Sequence, residues 1–89
     1  MLIDRTLLGS ILTVLLQTES SYVSITEELR HSLGIRNDSE VDKLVGHVAI
    51  LEDLNYVKRN EVDREKLRLT YDGYHALPNF GIDMKIYSR

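Results

Sequence analysis

The chain of 89 residues contains no cysteine. Neither a disulfide framework nor a thiolate metal site can form. Proline occurs once, as Pro78, and the glycines at positions 9, 34, 46, 73 and 81 build no phosphate-binding loop. Long hydrophobic runs are missing too. The most apolar segment, residues 7–16, includes Gly9, Ser10 and Thr13 and follows Asp4 and Arg5. It is too short to span a bilayer and lacks the basic flank and small-residue cleavage site of a signal peptide. A cytoplasmic protein without membrane association is expected. No Ser or Thr stands in a nucleophile-elbow or triad-like context. His31, His47 and His75 fall on three different predicted helices, with no His/Glu pair at metal-ligand spacing. The adjacent acids Glu27-Glu28 and Glu52-Asp53 point about 100° apart on a helix, so neither pair is a catalytic dyad. No catalytic residue, no metal and no cofactor are expected.

What is present fits one small soluble domain. A chain of this length buries only about 60–65% of its unfolded surface, so modest stability is expected. The net charge of −3 argues against a strong overall nucleic-acid field. The charge is unevenly placed, however. Residues 1–57 carry four basic residues against nine acids, whereas residues 58–89 carry seven basic residues against five acids. The basic part is the last third.

Hydrophobic spacing predicts a mainly α domain with a small β-hairpin, an α+β fold. A first helix spans about Asp4 to Glu19. Leu7, Leu8, Ile11, Leu12, Val14, Leu15 and Leu16 fill an arc of roughly 200°, wider than one-sided burial needs. Its cover comes either from its own domain or from a second subunit. Tyr22 and Val23 are β-prone. Ser24-Ile25-Thr26-Glu27 fits a capping box, opening a helix over Ile25 to Leu33 that Gly34 ends in the left-handed conformation. Asn37-Asp38-Ser39-Glu40 offers several caps for a third helix, with Val41, Leu44, Val45, Val48 and Leu51 as its apolar face. Asn55 is placed to stop it. Tyr56–Arg59 and Lys66–Leu69 should pair as strands, joined by a tip from Asn60 to Glu65. That tip has no glycine or proline, which predicts a loose loop rather than a tight turn. Thr70 caps a short helix through Leu77, and Pro78 bars its continuation. In the tail, Ile82, Met84 and Ile86 alternate with Asp83, Lys85 and Tyr87, the period of an extended arm. The expected organisation is a domain over 1–78 and an arm over 79–89.

Two local words stand out: Leu51-Glu52-Asp53-Leu54-Asn55-Tyr56-Val57 and Leu69-Thr70-Tyr71-Asp72-Gly73-Tyr74. Together with three helices, a short strand before the second and a terminal hairpin, they make residues 4 to 77 resemble the winged helix-turn-helix superfamily. Small bacterial and phage-type regulators and the N-terminal domain of RIO-type atypical kinases carry similar words. No kinase domain is present, so kinase activity does not carry over. The resemblance implies a three-helix core with a two- or three-stranded wing sheet. It also implies a third helix that enters the major groove of DNA and a wing that contacts the backbone or minor groove.

On that analogy the third helix and its preceding loop would present Arg36, Ser39, Lys43 and His47 to DNA. The same surface carries Asp38, Glu40 and Asp42, which would repel phosphate. Acids there also suit the positive end of a helix dipole. The wing is richer in cations, with Lys58, Arg59, Arg64, Lys66 and Arg68 as candidate backbone contacts. Glu61, Asp63 and Glu65 dilute them, and charged edge strands also serve simply to block aggregation. A homodimer is expected, resting on Leu8, Leu12 and Leu16 of the first helix and on Ile82, Met84 and Ile86 of the arm. Two readings therefore stand. One is a small transcriptional regulator that binds double-stranded DNA. The other is a protein-interaction module that uses the acidic third helix and binds no DNA.

Overall fold

The computed structural model describes residues 2–18 and 21–82. It contains four helices and a three-stranded antiparallel sheet. Helix α1 (Arg5–Gln17) is followed by strand β1 (Val23–Ser24). A π-helical turn (Ile25–Leu29) then runs directly into α2 (Arg30–Ser32). Next come α3 (Asp38–Asp53), β2 (Val57–Arg59), β3 (Lys66–Leu69), α4 (Tyr71–Ala76) and a closing 3-10 turn (Leu77–Phe80).

Helix ends follow the capping residues. Asp4 accepts from the Leu7 amide at 3.1 Å, Asn37 from Glu40 at 2.9 Å and Thr70 from Gly73 at 3.0 Å. Each satisfies an amide that the first helical turn leaves without a partner. Ser24 accepts from the Glu27 amide as a capping box requires, at a longer 3.4 Å. The neighbouring Thr26 amide is taken by the Glu65 carboxylate, a residue of the hairpin. At the other ends, Gly34 and Asn55 adopt φ of 69° and 62°. For α3 the Asn55 amide bonds the Glu52 carbonyl and the Tyr56 amide bonds the Leu51 carbonyl, both at 2.9 Å. This is the Schellman closure, and it turns the chain into β2. Helix α4 stops at Ala76. Pro78 sits in the first turn of the 3-10 segment, where its missing N–H costs nothing.

The sheet order is β1-β3-β2. Val57 faces Leu69, Lys58 faces Arg68 and Arg59 faces Leu67, while Val23 faces Leu67 across the other edge. Alternation therefore turns Val23, Val57, Leu67 and Leu69 towards the helices and Lys58, Lys66 and Arg68 away from them.

Helix α1 lies at the centre of the core. Leu8, Ile11, Leu12 and Leu15 are buried against Leu44, Val48 and Leu51 of α3, Leu67 of β3 and Leu77. Leu7, Val14 and Leu16 are half-buried against the same cluster. The wide apolar arc of α1 is thus covered by its own domain, with α3 on one side and the sheet and C-terminal turn on others. The α3 stripe differs from expectation. Val45 is exposed, and His47 takes its place among the buried residues Leu44, Val48 and Leu51. Those four positions form the i, i+3, i+4, i+7 set of one helix face, whereas Val45 lies about 100° from Leu44.

The two words that carry the family resemblance meet in space. The Thr70 hydroxyl donates to the Asn55 carbonyl at 2.6 Å, and Asn55 Nδ2 donates to Asp72 at 2.9 Å. Gly73 packs so closely on the Tyr56 carbonyl that a Cβ there would overlap it. These contacts lock α4 onto the end of α3, so the residues of both words have structural work in holding this junction.

Residues 79–82 pack onto the domain. Arg5 donates to the Asn79 carbonyl at 2.7 Å and lies over the Phe80 ring, 5.0 Å from its centroid. Phe80 meets Tyr56 edge-on, and Ile82 packs against the core. Met84 and Ile86 of the expected arm lie outside the described residues.

Candidate nucleic-acid interface

The hairpin holds the densest cluster of cations, and strand alternation sorts them. Lys58 and Lys66 are exposed on the outward face, and Arg68 is half-buried there beside them. Lys58 and Arg68 stand directly opposite each other. Such pairs have Cβ atoms about 4.5–5.5 Å apart, and like charges in that relation destabilise the sheet. Neither side chain makes an ion pair among the described residues.

Arg59, expected to contact phosphate, differs from these in having an acid partner. Its position in the alternation turns it inward, where Nε donates to Glu52 of α3 at 2.7 Å and a second nitrogen donates to the Arg64 carbonyl at 2.9 Å. Arg59 ties the hairpin to α3 and is neutralised in doing so. Arg64 is exposed at the tip.

The tip is ordered by its own side chains, contrary to the loose loop expected. Asn60 Oδ1 accepts from the Val62 amide at 2.9 Å and the Asp63 amide at 3.0 Å, and Asp63 Oδ1 accepts from Glu65 at 3.2 Å. Short polar side chains bonding to amides two or three residues on replace the glycine a tight turn would need. Val62 is left 97% exposed at the apex. The arrangement also explains how three acids and five cations share the hairpin. Asp63 and Glu65 turn their carboxylates onto backbone amides of the loop and of Thr26. The outward strand positions carry only cations and neutral residues.

The candidates on and before α3 fare worse. His47 is fully buried and cannot read bases. Its Nε2 accepts from the Asp4 amide at 2.9 Å, which leaves Nδ1 to donate to the Lys43 carbonyl at 2.7 Å. That is the neutral ring with both nitrogens satisfied. Lys43 reaches back to Asp4 at 3.0 Å. Its ammonium holds the Asp4 carboxyl below the ordinary carboxylate range, and the Leu7 amide adds to the shift. Lys43 is therefore committed to the start of α1. Ser39 donates to Asn37 Oδ1 at 2.8 Å within the cap. Arg36 is exposed, in the loop before α3. What α3 shows to solvent is Asp38, Ser39, Glu40, Asp42, Lys43, Val45, Ala49 and Asp53, four acids against one cation that is itself paired with Asp4.

The dimer surface expected on α1 is corrected as well. Leu8 and Leu12 are 3% and 0% exposed within one chain, so neither is available to a partner. Leu16 and Ile82 are half-buried against their own core.

Among the described residues no group of three or more His, Cys, Asp or Glu side chains converges as a metal site. Among them too, no helix is long and apolar enough to cross a membrane. Comparison of the chain with protein-family models, with curated proteins and with solved structures finds no match.

The burial of His47 had a signal in the sequence. It occupies position i+3 of the stripe Leu44-His47-Val48-Leu51, and a polar residue in an apolar stripe is buried with partners or not at all. The Lys43–Asp4 pair had none, since it joins residues 39 apart.

Proposed function

We propose that this chain is a winged-helix nucleic-acid-binding domain, a small regulator that docks on the backbone of double-stranded DNA with the outward face of its wing sheet. The observation that carries the reading is the placement of Lys58, Lys66 and Arg68 on one face whose strand positions bear no acid. The order of elements and the β1-β3-β2 sheet support the winged-helix assignment. Docking is wing-first. Asp38, Glu40 and Asp42 would meet phosphate repulsively if α3 entered the major groove, so α3 supplies little base reading. Backbone contact of this kind gives affinity with weak sequence preference.

Fluorescence polarisation with random-sequence duplex, measured at several salt concentrations, tests it. Affinity should fall linearly on a log–log plot. Lys66→Gln and Arg68→Gln should each weaken binding across sequences and reduce the slope by about one. No binding at low salt would overturn the reading.

The acidic face of α3, with Val45 exposed beside Asp42, favours a second reading as a protein-interaction module for a basic partner. Charge reversal at Glu40 and Asp42 separates the two. It should leave or strengthen DNA binding on the first reading and abolish partner capture on the second.

A further inference from the structure

The outward face of the wing holds a concavity of about 280 Å³, lined by Tyr22, Lys58, Arg59, Asn60, Glu61 and Arg68. We infer that this concavity is a discrete phosphate-oxyanion site, with Lys58 and Arg68 as its paired cations and Asn60 and Tyr22 as neutral donors. The inference rests on the outward face used in the proposed function, and narrows it to one place.

The opposed cations are the first argument. Lys58 and Arg68 face each other across β2 and β3 and make no ion pair among the described residues. Arg68 has only a 3.5 Å contact to the Leu69 carbonyl. Arg59 and Lys43 are paired with acids, Glu52 and Asp4, and Arg5 and Arg30 are held by backbone carbonyls at 2.7–3.1 Å, whereas Lys58 and Arg68 have neither an acid nor a close carbonyl among the described residues. Two unpaired, opposed cations repel each other until an anion bridges them.

The neutral groups add to this. Asn60 Oδ1 is already committed to the Val62 and Asp63 amides, so the end of its side chain that remains is the NH2 donor. Tyr22, the other neutral polar residue of the lining, carries a hydroxyl able to donate. Arg59 keeps its charge on Glu52 and lends only the wall. The one acid of the lining is Glu61, whose negative charge lowers affinity and sets a limit on it. A phosphate group matches this donor set in charge and in its several acceptor oxygens. It can come from a free phosphorylated solute or from a nucleic-acid backbone.

The test uses the full chain labelled with 15N and titrated with sodium phosphate at constant ionic strength, with chloride as the control. The amides of Tyr22, Lys58, Asn60 and Arg68 should shift together and saturate. Lys58→Gln with Arg68→Gln should weaken phosphate by about tenfold or more, as loss of charge-assisted hydrogen bonds requires. Glu61→Gln should tighten it. Phosphate should also raise the thermal midpoint of the parent chain more than that of the double variant. If a short duplex competes with phosphate, the site holds and its source is the backbone. If phosphate binds locally and duplex does not, the site holds for a free phosphorylated solute, and the nucleic-acid reading falls. Linear shifts spread over the surface, or the same shifts with chloride, overturn the site. Duplex binding that survives the double variant but fails with Lys66→Gln also overturns the site and leaves the nucleic-acid reading standing.

Discussion

A histidine with no access to solvent must satisfy both ring nitrogens internally, and His47 does so with the Asp4 amide and the Lys43 carbonyl. His47→Leu keeps the volume but orphans the Asp4 amide. The expected loss is about 1–3 kcal/mol in urea unfolding and, on the proposed function, DNA affinity per folded molecule is unchanged. A base-reading role would predict the reverse. Gly73 is the second such residue. An added methyl would overlap the Tyr56 carbonyl and press on Leu69. Gly73→Ala should cost about 1–3 kcal/mol, the range for overpacking, although alanine favours helices elsewhere. Equal urea midpoints would refute the close approach. The Asp4–Lys43 pair makes a pH prediction. The carboxyl of Asp4 is held below its ordinary value of 3.8 by the Lys43 bond and the Leu7 amide. Its contribution to stability is present above 3.8 and is lost as pH falls through the lower folded value. Lys43→Met should raise the Asp4 pKa towards the ordinary value in an NMR titration. The stability difference between parent and variant should vanish in strong acid.

Among the elements, the β2–β3 hairpin has the most to show. Its strands were legible as an alternation of Lys66, Leu67, Arg68 and Leu69. Its tip was not, because the turn is made by Asn60 and Asp63 side chains rather than by glycine. Asn60→Ala removes two of those bonds. Hydrogen exchange at Val62 and Asp63 should rise about fivefold for each kcal/mol of local protection lost, with the core amides unaffected. Helix ends were legible at Gly34, Asn55 and Thr70, since capping depends on one residue and its near neighbours. The inward side of α3 was less so. Val45 and His47 exchange the burial expected from hydrophobicity alone, because the angle round the helix decides and not the residue type.

For the whole molecule, a net charge of −3 says less than where the charges sit. Acids gather on α3, and Lys58, Lys66 and Arg68 on the outward sheet face, so the domain presents two surfaces of opposite sign. The apolar arc of α1 belongs to the interior of one chain. Leu12→Ala should therefore destabilise by about 2–5 kcal/mol, with a midpoint that does not depend on protein concentration. A dimer interface at Leu12 would make it concentration-dependent. The sequence by itself determined the element order, the α+β class and most helix ends, because these rest on periodicity and on residues within a few positions of each other. The tertiary structure decided which cations are free. Arg59, Lys43 and Lys58 read alike in a chain of letters. Only the fold brings Glu52 to Arg59 and Asp4 to Lys43, and leaves Lys58 facing another cation.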